Sequence, residues 1–122
     1  MPILDVEIVG HPEEHDSGLA ARIAEAAGEV LDSPPGGTWV RVRHLPPARY
    51  AESGGGPHPG VRPVFVSVIC AVVPCGEDLA DRVRALTEAV ARECGRASAN
   101  VHVFHEPPAK GRVAFGGRLV GG

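Results

Sequence analysis

Val40–Arg49 reads VRVRHLPPAR, and Val101–Lys110 reads VHVFHEPPAK. Six of the ten positions are identical, at an offset of 61 residues. Internal repeats decide a fold before any local pattern does, so the same offset is carried outward. It takes Pro2, at the head of the apolar run 2–9, onto Pro63, at the head of PVFVSVICAVV. LAARI (19–23) answers LADRV (79–83) at an offset of 60, and the apolar ladder Leu19, Ile23, Ala26, Val30 answers Leu79, Val83, Leu86, Val90. Gly55-Gly56 answers Gly116-Gly117 at 61 again. Four elements in the same order at nearly constant spacing describe one unit written twice.

Each unit reads strand, helix, strand. Residues 3–9 carry the Ile, Leu and Val of a strand. Asp16 or Ser17 can cap a helix over about 18–31, whose spacing of i, i+4, i+7, i+11 buries one face. Residues 38–44 alternate valine with arginine, as in a half-buried strand. The second unit predicts a strand at 63–72, a helix at 77–94 stopped by Gly95, and a strand at 100–105. Parallel strands joined by a right-handed crossover follow for each unit. The fold class is therefore α+β, with tandem β-α-β units forming a four-stranded sheet and two helices on one face. Residues 1–122 read as a single domain of two fused units, about 2–56 and 63–117, with a Gly- and Pro-rich linker at about 51–62. The sheet face away from the helices also carries apolar residues, which calls for an oligomeric partner.

Composition narrows the function. A net charge of −3 argues against a phosphate-neutralising surface, and 4% aromatic residues are too few for base-stacking platforms. No apolar run approaches the roughly 20 residues that span a bilayer. The N-terminus has no basic and apolar leader pattern. Three cysteines without a CxxC pair fit a reduced, cytoplasmic protein. His11 and His15 have i, i+4 spacing, but Pro12 interrupts them and no third ligand is in a sensible place, so no metal site is expected. Gly54–Gly56 precedes no helix and is no phosphate loop. No cofactor is expected.

An N-terminal proline after Met1, units of about 60 residues, Val40-Arg41-Val42 and the tail NVHVFHEPPAKGRVAFGG together resemble the tautomerase superfamily, with 4-oxalocrotonate tautomerase as the nearest type and its fused, tandem members as the nearest subgroup. The resemblance implies a homotrimer acting on small carboxylate substrates. It implies a cofactor-independent isomerase of 2-hydroxy-dienoate or α-keto acids with Pro2 as general base. The alternatives are a dehalogenase or hydratase of small unsaturated acids with Pro2 as general acid, and a non-catalytic module that binds a small ligand or only assembles.

The chemistry of Pro2 is independent of the name. A free α-amino group titrates at about 7.7–8.0. Burial and nearby cations would lower that value and leave a neutral base near pH 7. Pro63 is the internal control, because its nitrogen is locked in a peptide bond. By resemblance, Arg41 matches the strand arginine that binds carboxylate and polarises the carbonyl, a task suited to a guanidinium fork. Its counterpart in the second unit is His102. Arg43 lies on the same strand face. His11 stands near where the family type carries a second arginine; either the departure weakens the case for a dicarboxylate or another arginine stands in, with Arg112 in the second tail as the candidate. Tyr50 orients substrate or covers the core, and Phe115 walls a proline site or packs an interface. His44 and His105 match across the repeat, which points to a structural role.

Overall fold

The computed structural model describes residues 2–121. Strand β1 is Pro2–Val9, helix α1 Leu19–Val30, and β2 Trp39–Leu45. They are followed by β3 (Val64–Cys70), α2 (Gly76–Cys94) and β4 (Val101–His105), then by a short hairpin of β5 (Ala114–Phe115) and β6 (Arg118–Leu119). The sheet order is β2-β1-β3-β4. β1 is parallel to β2 and β3 to β4, while β1 and β3 are antiparallel. The two units therefore meet back to back along β1 and β3, as the repeat requires.

Strand periodicity assigns the two faces. Leu4, Val6 and Ile8 of β1 and Val64, Val66 and Val68 of β3 are wholly buried under the helices, packed with Leu19, Ile23, Leu86 and Val90. The buried stripe of α1 runs Leu19, Ile23, Ala27. The ladder placed Ala26 there instead; Ala26 is half-buried in the groove between the helices, beside Arg22 and Arg92. The first residue before α1 is Gly18, and its N–H is taken by the Asp16 carboxylate at 2.8 Å, so Asp16 rather than Ser17 serves the helix entry. Gly95 closes α2 in the left-handed conformation, as read from the sequence.

Each unit ends in a glycine turn. Gly116 and Gly117 both have positive φ, 57° and 86°, which a two-residue hairpin turn demands. In the first unit the turn glycines are Gly54 and Gly55, flanked by a single bridge between Glu52 and Gly56. The glycine pairing is thus offset by 62, one residue from the pairing read in the sequence. Among the described residues no helix is long and apolar enough to cross a membrane.

Candidate active site

The antiparallel pairing of β1 and β3 puts the two prolines at opposite ends of the sheet. Pro2 is in register with Cys70, at the C-terminal end of β3. Pro63 accepts a hydrogen bond from Val9 N–H at 3.0 Å, at the C-terminal end of β1. The eight residues of β1 hold the ends roughly 23 Å apart at strand rise.

The Pro63 end is tied shut. Arg62, the residue before Pro63, reaches Glu14 Oε1 at 2.6 Å. Arg96 reaches Glu14 Oε2 at 2.7 Å and donates to the carbonyls of Val9 and Arg62. The backbone N–H of His11 also donates to Glu14 at 3.0 Å. That bond and the Arg96 guanidinium hold the Glu14 carboxyl below its ordinary range. His15 Nε2 lies 2.8 Å from the Cys94 carbonyl, which can only accept. His15 Nδ1 is then the acceptor for His44 Nε2–H at 3.1 Å. Burial, and then His15, push the His44 imidazole below its usual value. Tyr50 donates to Glu52 at 2.7 Å and lies against Phe65. His11 and Tyr50 therefore belong to this end within one chain.

The Pro2 end is built from the second unit. After β4 the chain runs on beside β3, with Ala109 N–H on the Cys70 carbonyl at 2.9 Å and Lys110 N–H on that of Ala71 at 3.3 Å. The hairpin then turns Phe115 edge-on to Trp39, 5.5 Å between centroids. Trp39 is the register neighbour of Ile3, next to Pro2. Arg112 is held by the carbonyls of Pro107 and Pro108 at 3.1 and 3.0 Å. Pro2 itself is buried on the helix-side face. Arg82 of α2 places its guanidinium 3.9 Å from Cys70 Sγ. Burial raises the Cys70 thiol pKa, and Arg82 only partly opposes it. Pro2, Arg112 and Phe115 are thus gathered at one end.

Arg41 and Arg43 lie on the opposite, helix-free face. Arg41 holds Asp5 in a two-toothed pair, Nε to Oδ1 at 2.5 Å and Nη2 to Oδ2 at 2.7 Å. That hydrogen bond lowers the Asp5 pKa and raises that of Arg41. Arg43 pairs with Glu7 at 3.0 Å. A signal for these partners was present in the sequence: Asp5 and Glu7 share the period of Arg41 and Arg43. Beside the pairs Phe65 and Phe104 stack at 6.2 Å, and a depression of about 330 Å³ lies among Asp5, Glu7, Arg43, Phe65, Ser67 and Phe104. Trp39 and Phe104 are about half exposed on this face. Trp39 and Arg82 were not singled out in the sequence. Trp39 carried one cue, the strand position directly before Val40, whereas nothing local distinguishes Arg82 from other helix arginines.

The fold and its Pro2 end define a class: two β-α-β units on one sheet with a candidate amine base at a strand head. No family model matches the sequence, and no curated protein matches it. Solved structures match over nearly the whole chain. The wild-type symmetric trimer of the fused 4-OT Q0 superposes with a TM-score of 0.76 at 20% identity, covering 97% of this chain and 94% of that one. Macrophage migration inhibitory factor from Oncomelania hupensis gives 0.76 at 16% identity, over 99% and 83%. Pt0534 inactivated by 2-oxo-3-pentynoate gives 0.73 at 17% identity, over 96% and 95%. This chain has the tautomerase β-α-β fold.

Proposed function

We propose that the chain belongs to the tautomerase superfamily and is a cofactor-independent tautomerase of small 2-hydroxy-dienoate or α-keto acids, with Pro2 as general base. One observation carries the reading. The tail of the second unit folds over the end of the sheet that holds Pro2, the one proline that loss of Met1 can turn into a free amine. The Pro63 end is closed instead by the Glu14 network. Its fold likeness to fused 4-OT supports the same reading.

The reaction follows from the amine. Neutral Pro2 takes the enol hydroxyl proton while the C2 carbonyl forms. The resulting ammonium returns the proton to carbon, at C3 or further along the diene. Atoms balance and nothing leaves. Phe115 and Trp39 pack edge to face at this end of the sheet. Three chains form a homotrimer in which the exposed aromatic face is covered. Arg41 and Arg43, presented on that face, act across the chain boundary, after exchanging Asp5 or Glu7 for a substrate carboxylate.

The test is intact mass followed by ketonisation of phenylenolpyruvate and 2-hydroxymuconate. The expected result is a chain lacking Met1 whose activity falls at least 100-fold in Pro2→Ala, the low end of a general-base contribution. Full retention of Met1, or equal activity in the variant, refutes the reading.

A further inference from the structure

Comparison of the two ends, group by group, exposes an asymmetry. Arg22 and Arg82 are counterparts at the helix offset of 60. Arg22 is neutralised by Asp16 at 2.8 Å and by Glu93 at 3.6 Å. The positions that correspond to those acids around Arg82 are Gly76 and Ser33. Among the described residues Arg82 makes no ion pair, and its partner is the Cys70 sulfur. The imidazoles diverge likewise. His44 is satisfied by His15. Its counterpart His105 keeps a buried Nε2 with no hydrogen-bond partner among the described residues, and the counterpart of His15 falls at Cys75 or Gly76.

Both unmatched groups lie at the Pro2 end. Cys70 is the register partner of Pro2, and side chains so paired have Cβ atoms roughly 4.5–5.5 Å apart. Arg82 therefore hangs over the neighbour of the candidate base. His105 is in register with Val68, which is in register with Leu4, so its face is the one Pro2 shares. A half-buried guanidinium without an acid and a buried imidazole nitrogen without a partner are polar groups that a ligand can satisfy.

We propose that Arg82 is a residue of the Pro2 site that binds the substrate carboxylate, with His105 Nε2 as a hydrogen-bond partner of the substrate's oxygen at C2. This inference rests on the Pro2 reading and gives its substrate an anion contact from the helix of the same chain, beside the one that Arg41 supplies across the chain boundary after leaving Asp5. The Arg82 charge also lowers the pKa of the amine.

The experiment uses the full chain after loss of Met1 and 2-oxo-3-pentynoate as probe. The amine nitrogen bonds to C4 of the alkyne and its proton ends on C3, so labelling reads binding at Pro2 without turnover. Peptide mass mapping separates Pro2 from the cysteines. In Arg82→Ala the probe concentration for half-maximal labelling should rise at least tenfold, with partial recovery in Arg82→Lys. The labelling profile should also move to higher pH, which loss of packing alone would not cause. Circular dichroism checks that each variant is folded. Pro2 labelled with the same half-saturation and pH profile in parent and Arg82→Ala overturns this inference and leaves the Pro2 reading standing. An unlabelled Pro2 in the parent overturns both.

Discussion

Glu14 is the keystone of the Pro63 end, and Glu14→Ala separates the two ends experimentally. Its carboxylate accepts from Arg62, Arg96 and the His11 N–H, at 2.6, 2.7 and 3.0 Å. The Arg62 pair is open to water, with side chains 40% and 31% exposed, so it contributes about 0.5 kcal/mol. The Arg96 side chain is only 13% exposed, and without Glu14 it keeps just two carbonyl partners, so that bond is worth about 1 kcal/mol after discount for the exposed carboxylate. The lost acceptor for the His11 N–H adds about 0.5 kcal/mol. The sum, about 2 kcal/mol, lowers the unfolding temperature of a chain this size by roughly 6–10 °C. Thermal unfolding followed by circular dichroism measures it, and a double-mutant cycle with Arg96→Ala isolates the shielded pair. The pH dependence has a definite sign. The folded pKa lies below the 4.5 of a free glutamate, first through the His11 N–H and then through Arg96. The stabilisation is therefore full above that value and is lost as pH falls through the folded pKa, where parent and variant converge. Labelling of Pro2 should be unchanged at temperatures where both are folded. A loss under about 0.5 kcal/mol refutes the energetic argument, and an altered Pro2 labelling rate refutes the separation of the ends.

His44 acts with the same sign in a higher pH window. Its folded pKa is depressed by burial and then by His15, with Glu14 and Glu13 opposing and Arg96 reinforcing. Protonation thus favours the unfolded chain, and stability falls as pH drops below the 6.5 of free histidine; urea midpoints across that range should flatten in His44→Gln, and an unchanged slope would remove His44 as the cause. Phe115→Ala should remove the edge contact that Trp39 makes with the second tail and expose the indole further. Tryptophan fluorescence that does not shift to the red in this variant would contradict the aromatic contact.

The repeat made the fold legible because periodicity, helix spacing and strand offsets all constrain the same topology. Strand pairs, helix face and the Gly95 stop followed from patterns of apolar residues and of glycine. Small errors came where two elements compete for one side chain, as with Ala26 between the helices, or where one residue of slack sits in a turn, as with Gly54 and Gly55. The site was less legible. Arg112 and Phe115 were named through the resemblance, and the structure lays their tail beside the end of β3. Arg41 was chosen by resemblance to a strand arginine, and the resemblance does not say which face of the sheet Pro2 takes. Pro2 has the parity of Leu4, Arg41 that of Asp5 and Trp39, and only the register joins the two statements.

Duplication explains why the ends differ in kind. Two identical units would place the same proline, arginine and histidine at both ends. On the proposed reading only Pro2 yields a free amine after loss of Met1, which assigns the chemistry to one end and leaves the other to hold the fold. At the Pro63 end these polar groups have partners: Arg96 and Arg62 have Glu14, His44 has His15, and Arg22 has Asp16 and Glu93. At the Pro2 end the corresponding arginine and histidine have none among the described residues. An unpaired, half-buried guanidinium destabilises a fold that could have paired it, as its twin does. Beside Pro2 it fits the proposed ligand site, and the pairing state of Arg22 and Arg82 then distinguishes the two ends more sharply than the prolines themselves.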